Sequence, residues 1–195
     1  GFSKARLVFG GSSSLPSHYA MSEDSLFRSF RVGTGALAEV LATDAIIRPV
    51  IGDQVARIEH IVTGQRLLLF TDSGIYFVPE SSDQPITPSN IKEEWVAPYQ
   101  VNQLCVPIVY TDSVLFAVEP GTVVREIRYD AISAGYNASS NTLSTDVVKA
   151  VKASAKQYTR DDEHEQYAYF LNTDGTIAVH QGIEAEQLSG WTPWE

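Results

Sequence analysis

Three stretches of this chain are near-copies of one another: "FTDSGIYFVP" (Phe70–Pro79), "YTDSVLFAVEPG" (Tyr110–Gly121) and "LNTDGTIAVHQG" (Leu171–Gly182). Each sets Thr-Asp and a small residue between two short apolar runs. An Asp or Gly at such a point lets the backbone reverse, and the flanking runs then pair as a β-hairpin. For Asp174-Gly175 the pattern predicts a two-residue type I′ turn with positive φ at both residues, and a last hairpin over 166–182. An Asp that bonds its own backbone explains the repeated Thr-Asp pairs equally well.

The spacing of the copies constrains the fold further. Asp72 and Asp112 stand 40 residues apart, and Asp112 and Asp174 stand 62 apart. Removing a helical insertion of about 15–20 residues from the longer gap makes the two intervals similar. Units of about 40–50 residues made of several short strands are propeller blades. Such a unit cannot bury both faces alone and must stack on its neighbours. The expected fold is therefore mainly β: propeller-like antiparallel blades with one α-helix, inserted or at a sheet edge, in one β-rich domain over 1–195. A β-sandwich with one helix is the alternative that the same pattern allows.

Further strand signals are "ARLVFGG" (Ala5–Gly11), "RLLLF" (Arg66–Phe70), "LCVPIVYT" (Leu104–Thr111), the alternating "VVREIRYD" (Val123–Asp130) and "QYAYFLN" (Gln166–Asn172). The helix is expected over Ser144–Tyr158, "STDVVKAVKASAKQY". Val147, Val148, Val151 and Ala155 share one face at 3.6 residues per turn, and Lys149, Lys152 and Lys156 share another. That lysine stripe is a candidate partner contact. A shorter helix is expected at Ser22–Phe30, where acids follow a capping Ser. Loops are expected at Gly10–Ser17, Pro79–Asn90 and Ser133–Thr142.

A chain of 195 residues can bury a substantial core, and no apolar run reaches the ~18 residues of a membrane helix. It opens Gly1-Phe2-Ser3 without an initiator Met, which fits a fragment of a longer protein. The formal charge of −10 disfavours general binding to nucleic acid, although a tube through which DNA slides can be acidic, because repulsion then helps. Cys105, the only cysteine, lies in an apolar run and reads as a small buried hydrophobe.

Motifs that would carry chemistry are incomplete. "DDEHEQYA" (Asp161–Ala168) starts like the zinc motif H-E-x-x-H, but Ala168 stands where the second histidine belongs. The Thr-Asp turns lack the oxygen ladder of a calcium loop. "GGSSS" (Gly10–Ser14) is neither a phosphate loop nor a nucleophile elbow. His18, His60, His164 and His180 form no triad pattern, and His180 on an alternating strand reads as a sheet-surface residue. No catalytic residue, metal or cofactor is assigned. "GWTPW" (Gly190–Trp194) ends the chain with Trp191 and Trp194, which read as core or subunit contacts and, if exposed, as sugar-stacking platforms.

Taken in order, several segments resemble the tail hub, nozzle or stabilisation proteins of short-tailed phages. "ARLVFGGSSSLPSHYAMSEDSLFRSF" (Ala5–Phe30) is similar to their "RLVFAGS" strand and following acidic turn. "RLLLFTDSGIYFV" (Arg66–Val78) is similar to their "L-L-V-F-T-x-x-G-x-W-x-L" strand pair, with Ile75 and Tyr76 where the family often has Glu-Trp. "ITPSNIKEE" (Ile86–Glu94), "VREIRYDAISAGYNASSNTLS" (Val124–Ser144) and "YAYFLNTDGTIAVHQGIEAEQLSGW" (Tyr167–Trp191) resemble the family's later segments. The resemblance spans about residues 5–194. It implies a non-enzymatic virion component, propeller-like and β-rich, that forms a homo-oligomeric ring with other tail or adaptor proteins. DNA would pass through without sequence recognition. The expected location is the virion tail, and the host cytoplasm during assembly. A propeller-type carbohydrate-binding or glycan-active protein, using Trp191, Trp194 or Tyr136, is the alternative.

Overall fold

The computed structural model describes residues 1–33, 40–52, 55–79, 85–110, 113–131, 135–140, 146–156, 166–183 and 188–194. The chain clusters into two compact units, Gly1–Gln100 and Val101–Glu195. The described residues form four antiparallel four-stranded sheets and no helix.

The first unit holds two sheets. One is β1 (Phe2–Ser3), β2 (Arg6–Gly10), β3 (His18–Met21) and β4 (Ile46–Pro49); the other is β5 (Ile58–Thr63), β6 (Leu67–Thr71), β7 (Ile75–Val78) and β8 (Glu94–Ala97). In each, the strands lie side by side in chain order. Strand alternation sends Val8, Tyr19, Met21 and Ile46 to one face of the first sheet. These meet Ile58, Leu67, Leu69, Tyr76 and Val78 of the second in one core. Gly11 permits this approach: its φ is +69°, and a Cβ there would stand 2.2 Å from the Ile58 carbonyl oxygen.

Two arginines, Arg6 buried and Arg48 half-buried, satisfy backbone carbonyls that the sheets do not. Arg6 donates to the carbonyls of Ser22 (2.6 Å), Asp44 (2.7 Å) and Ala42 (2.9 Å), tying the long β3–β4 connection to β2. Arg48 pairs with Glu93 (3.0 Å), whose carboxylate also accepts from the Tyr19 hydroxyl. Burial, with the Glu93 carboxylate beside it, holds the Tyr19 phenol protonated well above its usual range.

The second unit repeats the plan with β9 (Ile108–Val109), β10 (Ser113–Val118), β11 (Val123–Asp130) and β12 (Gly135–Ser140), then β13 (Val151–Lys156), β14 (Gln166–Asn172), β15 (Ile177–Ile183) and β16 (Leu188–Trp194). Its core joins Ile108, Leu115, Ala117 and Val124 to Val148, Val151, Ala168, Phe170 and Ala178. Cys105 is fully buried among them, and burial, with Glu119 nearby, pushes its thiol up to about 11. Gly121, at φ +99°, brings the β10–β11 turn against the start of β13, where a Cβ would lie 2.7 Å from the Val151 carbonyl oxygen.

Several sequence expectations are corrected. The helix over Ser144–Tyr158 is absent: Asp146–Ala150 are bends and coil, and Val151–Lys156 is strand β13, paired with β14. Residues 144, 145, 157 and 158 lie outside the described ones. Of the four residues that suggested a helix face, only Val151 and Ala155 lie in the strand, and a bulge between Val151 and Ala153 puts those two on opposite faces. It shifts the alternation by one, so Val151 shares a face with Ser154 and Lys156, three and five residues on. Val148 and Val151 are buried as expected, but Val151 as the first residue of a paired strand and Val148 from the coil before it, both in the core of this unit. Local helix preference yields here to tertiary context. Ser22–Phe30 is a run of tight turns with Ser25 at φ +60°, not a helix. Ser133–Thr142, expected as a loop, contains strand β12, which pairs with β11 from Asp130↔Gly135 to Arg125↔Ser140.

The turns also differ in detail. β14 and β15 pair from Gln166↔Gly182 to Leu171↔Ile177. Their loop has three residues, Thr173, Asp174 and Gly175, closed by Gly175 N–H donating to Asn172 O (3.1 Å) and Asn172 N–H donating to Thr176 O (2.9 Å). Only Gly175 has positive φ (+93°), so this is a type I turn followed by a glycine bulge rather than type I′. Asp174 does bond local backbone, accepting from Thr176 N–H (3.0 Å). In the first copy it is the Thr71 hydroxyl that closes the turn, while Asp72 accepts from Arg57 N–H (2.8 Å), just before β5. Asp112 lies outside the described residues.

Candidate functional site

The five residues singled out as partner contacts all belong to the second unit, and the structure separates them. Lys149 precedes β13 and is ion-paired with Asp174 (2.5 Å). That contact, with the Thr176 bonds, holds the Asp174 carboxyl well below its usual range. Lys152 is exposed. Lys156 turns inward: its ammonium donates to Val109 O (2.6 Å) and stands 5.8 Å from the Tyr110 ring centre. The three lysines therefore form no stripe, because a bulged strand replaces the helix that would have aligned them.

Trp191 and Trp194 point to opposite faces of β16. Trp191 packs between Phe170 (5.7 Å) and His180 (4.9 Å) at the edge of the core. Trp194 is 58% exposed, with its ring 5.9 Å from Tyr169 on the outer face. Tyr167 and Tyr169, two apart on β14, stack with planes 18° apart at 6.5 Å. The outer face of β13–β16 thus carries Tyr167, Tyr169 and Trp194 as an aromatic strip.

The inner cluster contains the residue that the sequence misassigned. His180 is not on a sheet surface: it is 3% exposed, on the core-facing side of β15. Its row across the sheet is Lys156, Ala168, His180 and Trp191. Nδ1 shares a hydrogen bond with the Tyr110 hydroxyl (3.0 Å), and Nε2 is buried with no hydrogen-bond partner among the described residues. Burial lowers the imidazole to about 4, against a smaller opposing pull from Glu126. Glu126 itself is pushed up by burial but held below its usual value by hydrogen bonds from Arg128 (2.9 Å) and Ser113 and by the Arg128 charge. Burial also raises the Tyr110 phenol, with Glu126 adding to the effect. At neutral pH the group is a neutral imidazole and phenol beside a carboxylate and an ammonium.

The burial of this set limits what it can do. His180 is 3% exposed and its Nδ1 is engaged with the Tyr110 hydroxyl, so the pair makes its contacts within the protein. No local pattern reveals the cluster: Tyr110 and His180 are 70 residues apart and meet only when two sheets pack.

No family model matches this chain, and no curated protein matches it. Among the described residues, no group of three or more His, Cys, Asp and Glu side chains is placed to hold a metal ion, and no helix is long and apolar enough to cross a membrane. The acidic stretch Asp161–Glu165, with His164, lies outside the described residues.

Proposed function

We propose that this chain is a structural, non-catalytic component of a short-tailed phage tail, part of the hub or nozzle ring around the DNA exit channel. One observation carries the reading. Four consecutive sheets each consist of four antiparallel strands laid down in chain order, which is the construction of propeller blades. In this reading the repeated Thr-Asp hairpins are central strand pairs of successive blades. The order of motifs resembling the tail proteins supports it, as does the charge of −10, which keeps passing DNA from adhering. The buried His180–Tyr110 pair supports a structural role, because a catalytic pair has to meet its substrate. The ring would include further copies and other tail or adaptor proteins, in the virion tail and, during assembly, in the host cytoplasm.

The decisive experiment is negative-stain imaging of the purified full-length protein, with antibody labelling of intact virions. Rings of one defined order and label confined to the tail are expected. Monomers, or label elsewhere on the particle, would refute the proposal. A second reading, sugar binding, is favoured by the Tyr167–Tyr169–Trp194 strip. The inward packing of Trp191 removes it from that reading. Retention on a glycan array that is lost in Trp194→Ala would establish it over the tail reading.

A further inference from the structure

A sheet ends in two edge strands, and an open edge offers unpaired N–H and C=O groups to any extended chain. Folded proteins blunt such edges by making them very short, or with a bulge, a charge or a proline. The four described sheets have eight edge strands, two each, and seven carry one of these devices. β1 and β9 have only two residues each. β4 has four and ends in Pro49. β5, β8 and β13 each hold one residue more than their partner at a bulge, and the extra residue of β13 is Lys152. β16 contains Pro193, which has no N–H to donate.

The exception is β12. Its sequence, "GYNASS" (Gly135–Ser140), has six residues with neither charge nor proline. It pairs with β11 at constant register from Asp130↔Gly135 to Arg125↔Ser140, without a bulge. Among the described strands it has no neighbour on its other side. Asn137 and Ser139 are exposed. The strand beside it adds no net charge, because Arg125 and Arg128 balance Glu126 and Asp130.

We infer that the open edge of β12 pairs with β12 of a second copy, antiparallel and about a two-fold axis, so that two third sheets join into one. Three observations select this occupant. The other seven edges are blunted, so among the described strands only β12 offers β12 a full-length counterpart. The charges permit the meeting: an uncharged strand backed by a neutral one brings no like charges together when it faces its own copy. The faces also match. Opposed residues of an antiparallel pair share hydrogen-bond parity and face, so Asn137 or Ala138 stands at the axis opposite itself. Tyr136 and Ala138, which continue the rows of Tyr129 and Ile127, then lie on one face in both copies, and Asn137 and Ser139 lie on the other in both.

The contact is a ladder rather than a packed face. Backbone hydrogen bonds supply its affinity, as in other strand additions, and the paired side chains set its register. Its area is small, which puts it among the weak, transient interfaces and calls for concentrated protein. Being isologous, it closes at two copies. It goes beyond the tail reading and does not depend on it.

The test is sedimentation velocity of the 195-residue chain over a wide range of concentration, with hydrogen exchange read by mass spectrometry. The variants are Asn137→Lys/Ser139→Lys and Asn137→Asp/Ser139→Asp, both at exposed positions, with circular dichroism to confirm that each is folded. Wild type is expected to show a monomer–dimer equilibrium that stops at two copies, with exchange at residues 135–140 slowing as the dimer forms. Each variant alone is expected to stay monomeric, because position 137 opposes either itself or 139 and like charges then meet. Mixed, the two variants are expected to form a heterodimer, which misfolded chains would not. Dimers that survive in both variants, or that leave exchange at 135–140 unchanged, would overturn this edge. So would a wild type, or a mixture, that stays monomeric at every concentration. Those results would leave the tail reading standing, and dimers without rings in the full-length imaging would leave this contact standing.

Discussion

Acid should loosen the second unit through His180. The imidazole is 3% exposed and falls from 6.5 to about 4 on folding, chiefly because burial disfavours its charged form. Between those values the unfolded chain binds a proton that the folded chain refuses, so stability rises with pH across this window. The contribution is fully present above pH 6.5, declines as pH falls towards 4 and is lost below it. At about 1.36 kcal/mol per pH unit, the whole change is about 3 kcal/mol. Urea unfolding followed by far-ultraviolet circular dichroism, at pH 4, 5, 6 and 7, measures it. Other carboxylates also titrate in acid, so the informative quantity is the difference from His180→Gln, which keeps an acceptor for the Tyr110 hydroxyl but cannot be protonated. Wild type should lose about 2–3 kcal/mol more than the variant between pH 7 and 4. Trp191, 4.9 Å from His180, gives a second readout, because an imidazolium at that distance quenches indole fluorescence. Parallel pH profiles for the two proteins would refute the argument.

Two further substitutions test the local readings. Gly175→Val places a β-branched residue at φ +93°, and should cost about 1–2 kcal/mol although no atom stands within 4 Å of its Cβ; an unchanged thermal midpoint would show that the turn can take another form. Glu93→Gln leaves the Arg48 guanidinium, paired now at 3.0 Å, without its countercharge beside Tyr19, and should cost roughly 3 kcal/mol in denaturant unfolding; a loss below about 1 kcal/mol would mean that water reaches the arginine.

The sequence revealed strands better than it revealed faces. Val123–Asp130 is a strand over its full expected length, and Gln166–Gly182 pairs as a hairpin, because alternation and turn chemistry are local. The β13 segment failed for an identifiable reason: Val147, Val148 and Val151 recur as on one helix face although the first two lie in coil, and Lys-Ala-Ser-Ala-Lys has no β-branched residue to argue against a helix. β9, only two residues long, is fixed by its neighbour β10 rather than by its own sequence. Nor could alternation say which side of β15 is the inside. Val179 and His180 are both 3% exposed, so the usual contrast between a wet and a dry face is missing there. The lysines were misjudged together with the helix, and the Tyr110–His180 pair had no signal shorter than the 70 residues that separate it.

Because, among the described residues, every strand pairs only with strands next to it in the chain, no sheet there borrows a strand from another. A sheet's hydrogen-bond ladders can be complete before later sheets are synthesised, and short-range pairing of this kind is fast. The same independence gives the architecture a grammar of duplication. A whole four-stranded sheet can be copied or deleted between two existing ones without cutting a single ladder bond. The change then falls only on the apolar faces at the new junction. The hairpins at Phe70–Pro79 and Leu171–Gly182 share a Thr-Asp pair but close their turns by different side chains, Thr71 in one and Asp174 in the other, as expected where each sheet shapes its own ends.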